Sequence, residues 1–100
     1  MKPQSIQIVP AQLGFFVVYD DEELKEVVIG DAVIAWRVET FFSDKGDDIF
    51  SSCSPLTIDG DVASNCIGVQ NPDMTVTVFQ HSTYPSLAEL QQERYPKKTQ

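Results

Sequence analysis

Two runs of alternating apolar and polar residues, Cys66-Ile67-Gly68-Val69-Gln70 and Thr75-Val76-Thr77-Val78-Phe79, flank Asn71-Pro72-Asp73. This segment constrains the chain more than any other. Alternation with a period of two marks strands, so it predicts a β-hairpin. Pro72 presets φ at the first corner of the turn, and Asn71 and Asp73 can hydrogen-bond their own backbone there. Just beyond, Ser86 stands three residues before Glu89 and ahead of Leu87 and Leu90, the pattern of a capped helix start. Pro96 disfavours helical geometry in Tyr95, which sets the stop. A helix of two turns does not persist alone in water, so it must dock on the sheet.

The rest of the chain supplies further strands. Residues 5–9 alternate, with Ile6 and Ile8 on one side, and Pro10 closes the run. Residues 13–20 are apolar on both faces, as suits a central strand covered on both sides. Residues 24–29 are open between a helical turn and a strand, with Val27-Val28-Ile29 favouring the strand. Gly30-Asp31 gives a turn signal ahead of residues 32–42, the longest strand candidate. There Ile34, Trp36 and Val38 share the better core face, opposite Arg37 and Glu39. Residues 43–54 read as a polar loop, and residues 55–58 as a short edge strand ended by Asp59-Gly60-Asp61. The expected fold is α+β, an antiparallel twisted sheet of four to six strands with one C-terminal helix packed on it. A small open β-barrel with a helical plug is the alternative. At 100 residues the chain supports one domain, residues 1–96, followed by a short disordered tail at 97–100.

Fifteen acidic residues against seven basic ones leave a net charge of -8. Nucleic acid and anionic membrane surfaces both call for clustered Lys and Arg, so neither is an expected partner. No window approaches the ~18–20 apolar residues of a membrane-spanning helix. The N-terminal residues lack the apolar core of a secretory signal, which makes a cytoplasmic location the default.

No motif specifies a chemistry. Cys53 and Cys66 could pair as a disulfide or stand as two small core thiols. Zinc needs four donors, and His81 is the only histidine. Asp44-Lys45-Gly46-Asp47-Asp48 lacks the ligand spacing of a calcium loop. His81 has no positioned nucleophile and orienting carboxylate tied to it by spacing, and is read as a loop residue ordering the connection to the helix. No cofactor, metal or catalytic residue is assigned, and a small hydrolase-like enzyme has no motif behind it.

Surfaces are more telling. Consecutive pairs such as Phe15-Phe16 and Phe41-Phe42 cannot both face the core from a strand. The expected function is a non-enzymatic protein–protein interaction module. Its candidate surface comprises Asp20, Asp21, Glu22 and Glu23, the aromatics Phe41 and Phe50, and Thr75 and Thr77 on an uncharged run. An acidic inhibitor mimicking nucleic acid, with Glu26 extending the acidic group, is the alternative. A weak homodimer through the 75–79 edge or a spare Phe is also expected.

The order Gly14-Phe15-Phe16-Val17-Val18-Tyr19, Val33-Ile34-Ala35-Trp36-Arg37-Val38, Gly68-Val69-Gln70-Asn71-Pro72-Asp73 and Tyr84-Pro85-Ser86-Leu87 resembles the layout of small bacterial proteins of unknown function. Some of those are encoded by phages or mobile elements. The resemblance implies no activity. One departure is Met74, where such hairpins often place Gly, and it predicts a wider loop in place of a tight left-handed turn.

Overall fold

Strands of this chain are short and rich in Val, Ile and Thr, and they pair antiparallel throughout. In a computed structural model, residues 5–43 and 49–97 are described. The elements in chain order are β1 (Ser5–Pro10), β2 (Phe16–Asp21), β3 (Glu26–Ala32), β4 (Ala35–Phe42), β5 (Ile49–Thr57), β6 (Gly60–Asp61), β7 (Cys66–Gln70), β8 (Val76–Val78), β9 (Thr83–Tyr84) and α1 (Leu87–Arg94). They form two open sheets, one ordered β1-β4-β5-β6 and the other β3-β2-β7-β8-β9. The class is α+β, as the patterning predicts, but the strands divide between two sheets and close no barrel. The calcium-like cluster at 44–48 and the tail residues 98–100 lie outside the described residues.

β2 is the middle of the molecule. Val17 and Val18 are both fully buried on opposite faces. Val18 packs with Val27, Val76 and Leu90 on the helix side. Val17 packs with Val33 and Val69, and with Phe15, Tyr19, Trp36 and Val62 around them, on the side of the other sheet. The layers are therefore sheet, sheet and helix, with the five-stranded sheet between. The central strand expected over 13–20 is present only from Phe16, because Leu13 is 96% exposed and Gly14 turns the chain at φ 105 before it.

Gly30-Asp31 is not a turn. Both residues lie in β3, where the register slips between the pairs Phe16–Ala32 and Val18–Ile29. A Cβ at Gly30 would fall 2.3 Å from the Tyr19 ring, so the glycine lets that ring lie over the strand. The actual break comes at Val33-Ile34. Val33 N donates to Phe15 O in one sheet at 2.8 Å, and Ile34 N donates to Leu56 O in the other at 2.9 Å. These two residues carry the chain across, so the alternation expected through 32–42 is broken there. Val33 is buried and Ile34 is 54% exposed. Trp36 does face the second sheet, meeting Phe15 edge to face at 5.4 Å, yet it is only half-buried.

Residues 24–29 resolve as the turn into β3 and its first part. Residues 49–54, expected as loop, belong to β5, because Phe50 pairs with Phe41 and Ile49 with Phe42 across the hairpin. The short edge strand expected at 55–58 is only the end of β5. The Asn71-Pro72-Asp73 hairpin forms as expected, with Met74 N donating to Asn71 O at 2.9 Å and Asn71 N to Thr75 O at 2.7 Å. Met74 nonetheless takes φ 74. The left-handed residue that Gly usually provides is therefore present, and the wider loop is not. The helix starts at the expected cap, where Ser86 Oγ accepts from Glu89 N at 3.3 Å.

Candidate interaction surface

The four acidic residues at the β2–β3 turn do not act as one group. Asp20 sits inside β2 with 6% exposure, and its backbone is held by Asn65, which accepts from Asp20 N at 3.0 Å. Its carboxylate receives Arg94 Nη2 at 2.5 Å and Tyr95 Oη at 2.5 Å, both from the end of α1. Burial pushes the Asp20 carboxyl up and is the largest influence. The hydrogen bonds from Tyr95 and Arg94, with the Arg94 charge, together outweigh it and hold the group below its ordinary range. Asp21 turns back on its own chain, where Oδ1 accepts from Leu24 N at 3.1 Å. Only Glu22 and Glu23 stand free on the exposed turn, next to exposed Lys25 and Glu26.

What the sequence offered as the strongest acidic patch is thus partly a helix dock. Gln91 completes it. Its Oε1 accepts from Val27 N at 2.6 Å and its Nε2 donates to Lys25 O at 2.8 Å, so α1 satisfies part of the β3 edge. An open depression of about 490 Å³ remains between Glu22, Lys25, Arg94 and Tyr95. Its floor is the neutralised Asp20, not a free charge.

Thr75 and Thr77 are not on an open edge either. β8 pairs with β7 on one side and β9 on the other. Asp73 Oδ1 accepts from Thr75 N at 3.0 Å and from its hydroxyl at 2.5 Å. Asn71 Nδ2 donates to the hydroxyls of Thr75 at 3.0 Å and Thr77 at 2.9 Å. Both threonines serve the hairpin, and the dimer edge expected at 75–79 is occupied within the chain.

Phe41 and Phe50 behave differently. They stack across the β4–β5 hairpin with centroids 6.0 Å apart and planes 22° apart. Register partners share a face, so Phe41 and Phe50 lie on one face and Phe42 and Ile49 on the other. Phe42, Ile49 and Phe50 are exposed, at 37%, 66% and 49%. The molecule is elongated, 56 Å long against 29 and 25 Å across. The sequence concealed Ile49 in a polar stretch, and the signal that could have found it was the Phe41-Phe42 doublet, which requires an opposing strand with matching side chains.

The remaining chemistry-bearing residues stay apart. Cys53 is exposed on β5 and Cys66 half-buried on β7, and both are free. Only Cys66 approaches the expected core thiol, and burial pushes its pKa up. No group of three or more possible metal ligands occurs among the described residues. His81 and Ser82 do touch, Nδ1 to Oγ at 2.9 Å, although strand neighbours would point apart. Gln80 at φ 57 breaks the strand before them, so alternation does not apply. His81 also stacks on Tyr84 at 6.4 Å and its N–H donates to Val78 O at 3.1 Å, as a residue ordering this connection would. No helix among the described residues is long and apolar enough to cross a membrane.

Comparison with protein-family models, curated proteins and solved structures finds no match. Any function must therefore be argued from this geometry.

Proposed function

We propose that the chain is a non-enzymatic protein-binding module whose partner-facing element is the aromatic end of the β4–β5 hairpin. The observation that carries it is the placement of Phe41 and Phe50 on one face and Phe42 and Ile49 on the other, with Phe42, Ile49 and Phe50 left exposed among the described residues. Exposed aromatic and aliphatic side chains grouped in this way mark interfaces, because their burial against a partner removes apolar surface from water. Aromatics held by mutual stacking also lose little freedom on binding.

Mimicry of nucleic acid draws less support. Phosphate-like charge needs several free carboxylates in a row, and here Asp20 is neutralised by Arg94 while Asp21 caps its own turn. Lys25 also stands between Glu23 and Glu26.

The test is affinity capture from cells of the source organism, comparing the parent with Phe50→Ala and Phe41→Ala/Phe50→Ala. Loss of specific partners in the variants, with an unchanged circular dichroism spectrum, is expected. An unchanged partner set would sink the proposal. Partners lost instead in Glu22→Gln/Glu23→Gln, with a steep decline in added salt, would favour the acidic reading.

A further inference from the structure

We propose that the outer edge of β1 is a self-association site, at which a second copy of this chain pairs its β1 antiparallel about a two-fold axis through Gln7. β1 is bonded on one side only, to β4. The rung from Ala11 N to Ile34 O at 3.1 Å follows the pair Pro10–Ala35 and fixes the phase of that ladder. In antiparallel strands, alternate residues turn their N–H and C=O to one neighbour and the residues between turn theirs away. Ser5, Gln7 and Val9 therefore face β4, while Ile6, Ile8 and Pro10 present their backbone groups outward. Pro10 lacks an N–H at a position where β4 does not require one.

One register uses every outward group of the two isoleucines. Setting Ile6 against Ile8 of the second copy, and Ile8 against Ile6, pairs both the N–H and the C=O of each. Sliding until Ile8 meets its twin would put Ile6 opposite Pro10, which has no donor.

Charge favours a second copy as the occupant. Ser5–Pro10 holds no charged residue in a chain of net charge -8. Ile6 is cross-strand from Glu39 and Ile8 from Arg37. In the joined sheet each row on that face runs Glu39, Ile6, Ile8 of the second copy, Arg37 of the second copy. The ends of every row then carry opposite signs, and no like charges meet.

The other edges are guarded. Gln91 occupies part of β3, and a bulge interrupts the remainder. β6 and β9 have two residues each. The free stretch of β5 lines a groove of about 430 Å³ whose other wall includes Thr77, Phe79 and Gln80, so the second sheet overhangs it. β1 has no charge and no bulge, no described element covers it, and its residues are exposed throughout. It lies across β4 from β5, so self-association does not rest on the binding role of the aromatic end. A strip this narrow buries less than the about 800 Å² per partner of a stable interface, so a dissociation constant on the order of 100 μM is expected.

Sedimentation velocity of the full chain from ~10 μM to ~1 mM checks this. The expected result is a shift from monomer to dimer, stronger at higher salt because screening relieves repulsion between two acidic copies. Ile8→Pro removes an outward donor and leaves the bonds to β4, so it should keep the parent's thermal midpoint within a few degrees and stay monomeric. Ile6→Lys, which adds a charge on the edge without touching the backbone, should do the same. Gln7→Cys in a Cys53→Ser background should cross-link on mild oxidation, because a residue on the axis faces its twin at about 4.5 Å. Val9→Cys in that background should not cross-link. Phe50→Ala should dimerise like the parent. A parent that stays monomeric at the highest concentration, a dimer that survives both edge variants, or a dimer lost in Phe50→Ala would each overturn the proposal.

Discussion

Met74 and Asp20 show how much single residues carry here. Met74 holds φ 74 at the end of the β7–β8 turn, with a 60% exposed side chain that contributes little packing. A left-handed conformation costs an L-residue roughly 1–2 kcal/mol and costs Gly almost nothing. Met74→Gly should therefore stabilise the protein by about 1 kcal/mol net of the added chain entropy, read as a higher urea midpoint. Asp20 is depressed in the folded state by Tyr95 and Arg94 acting against burial. A carboxyl lowered on folding contributes stability above its unfolded value, about 4, and that contribution is lost as pH falls toward the folded value. Tyr95→Phe should thus lower the urea midpoint at neutral pH, and the gap to the parent should close in acid. A gap that stays constant down to ~pH 2.5, below the ordinary carboxyl range, would count against this role for Asp20.

At the scale of elements, α1 is the instructive case. Leu90 is its only buried residue, so one apolar anchor is supplemented by polar ones. Ser86 caps its start, Gln91 bonds the backbone of β3, and Arg94 and Tyr95 seize Asp20. Ser86→Ala should cost about 0.5–2 kcal/mol, because Glu89 N–H loses its acceptor. Coincident urea midpoints for mutant and parent would remove that assignment. The cap was legible from Ser86 and Glu89 alone because capping is a contact three residues apart. The partners of Gln91 and Arg94 were not legible, since Val27 and Asp20 lie 64 and 74 positions away.

At the scale of the whole molecule, stability depends on how two sheets are coupled. Val33 is 4% exposed and packs with Val17 and Val69, while Ile34 next to it bonds the other sheet. Val33→Ala removes apolar volume at this crossing and should cost about 2 kcal/mol. Trp36 fluorescence follows the packing of the four-stranded sheet on Phe15 and the Val17, Val33 and Val69 cluster, whereas far-ultraviolet circular dichroism follows the strands of both sheets. In the parent the two transitions should coincide, and in Val33→Ala they should shift together. Separate transitions in the parent would show that the sheets unfold as independent units.

What the sequence by itself determined is everything set by near neighbours. The period-two runs, the Asn71-Pro72-Asp73 turn, the Ser86 cap and the doubly apolar β2 all follow from contacts within a few residues, and they suffice for an α+β class. Tertiary structure alone decided where strands change sheets. Gly30-Asp31 carries turn residues yet stays in β3, because the space it leaves is filled by the Tyr19 ring from another strand. Val33-Ile34 carries strand residues yet crosses between sheets, because Phe15 and Leu56 supply partners on either side. The candidate site divided in the same way. Asp20 is acidic in sequence and neutralised in space, whereas β1, unremarked for its charge or motif, is left with a sheet edge that no bulge, charge or helix guards among the described residues. A residue's type fixes which interactions it can make. Only the assembled chain fixes which of them remain unmade.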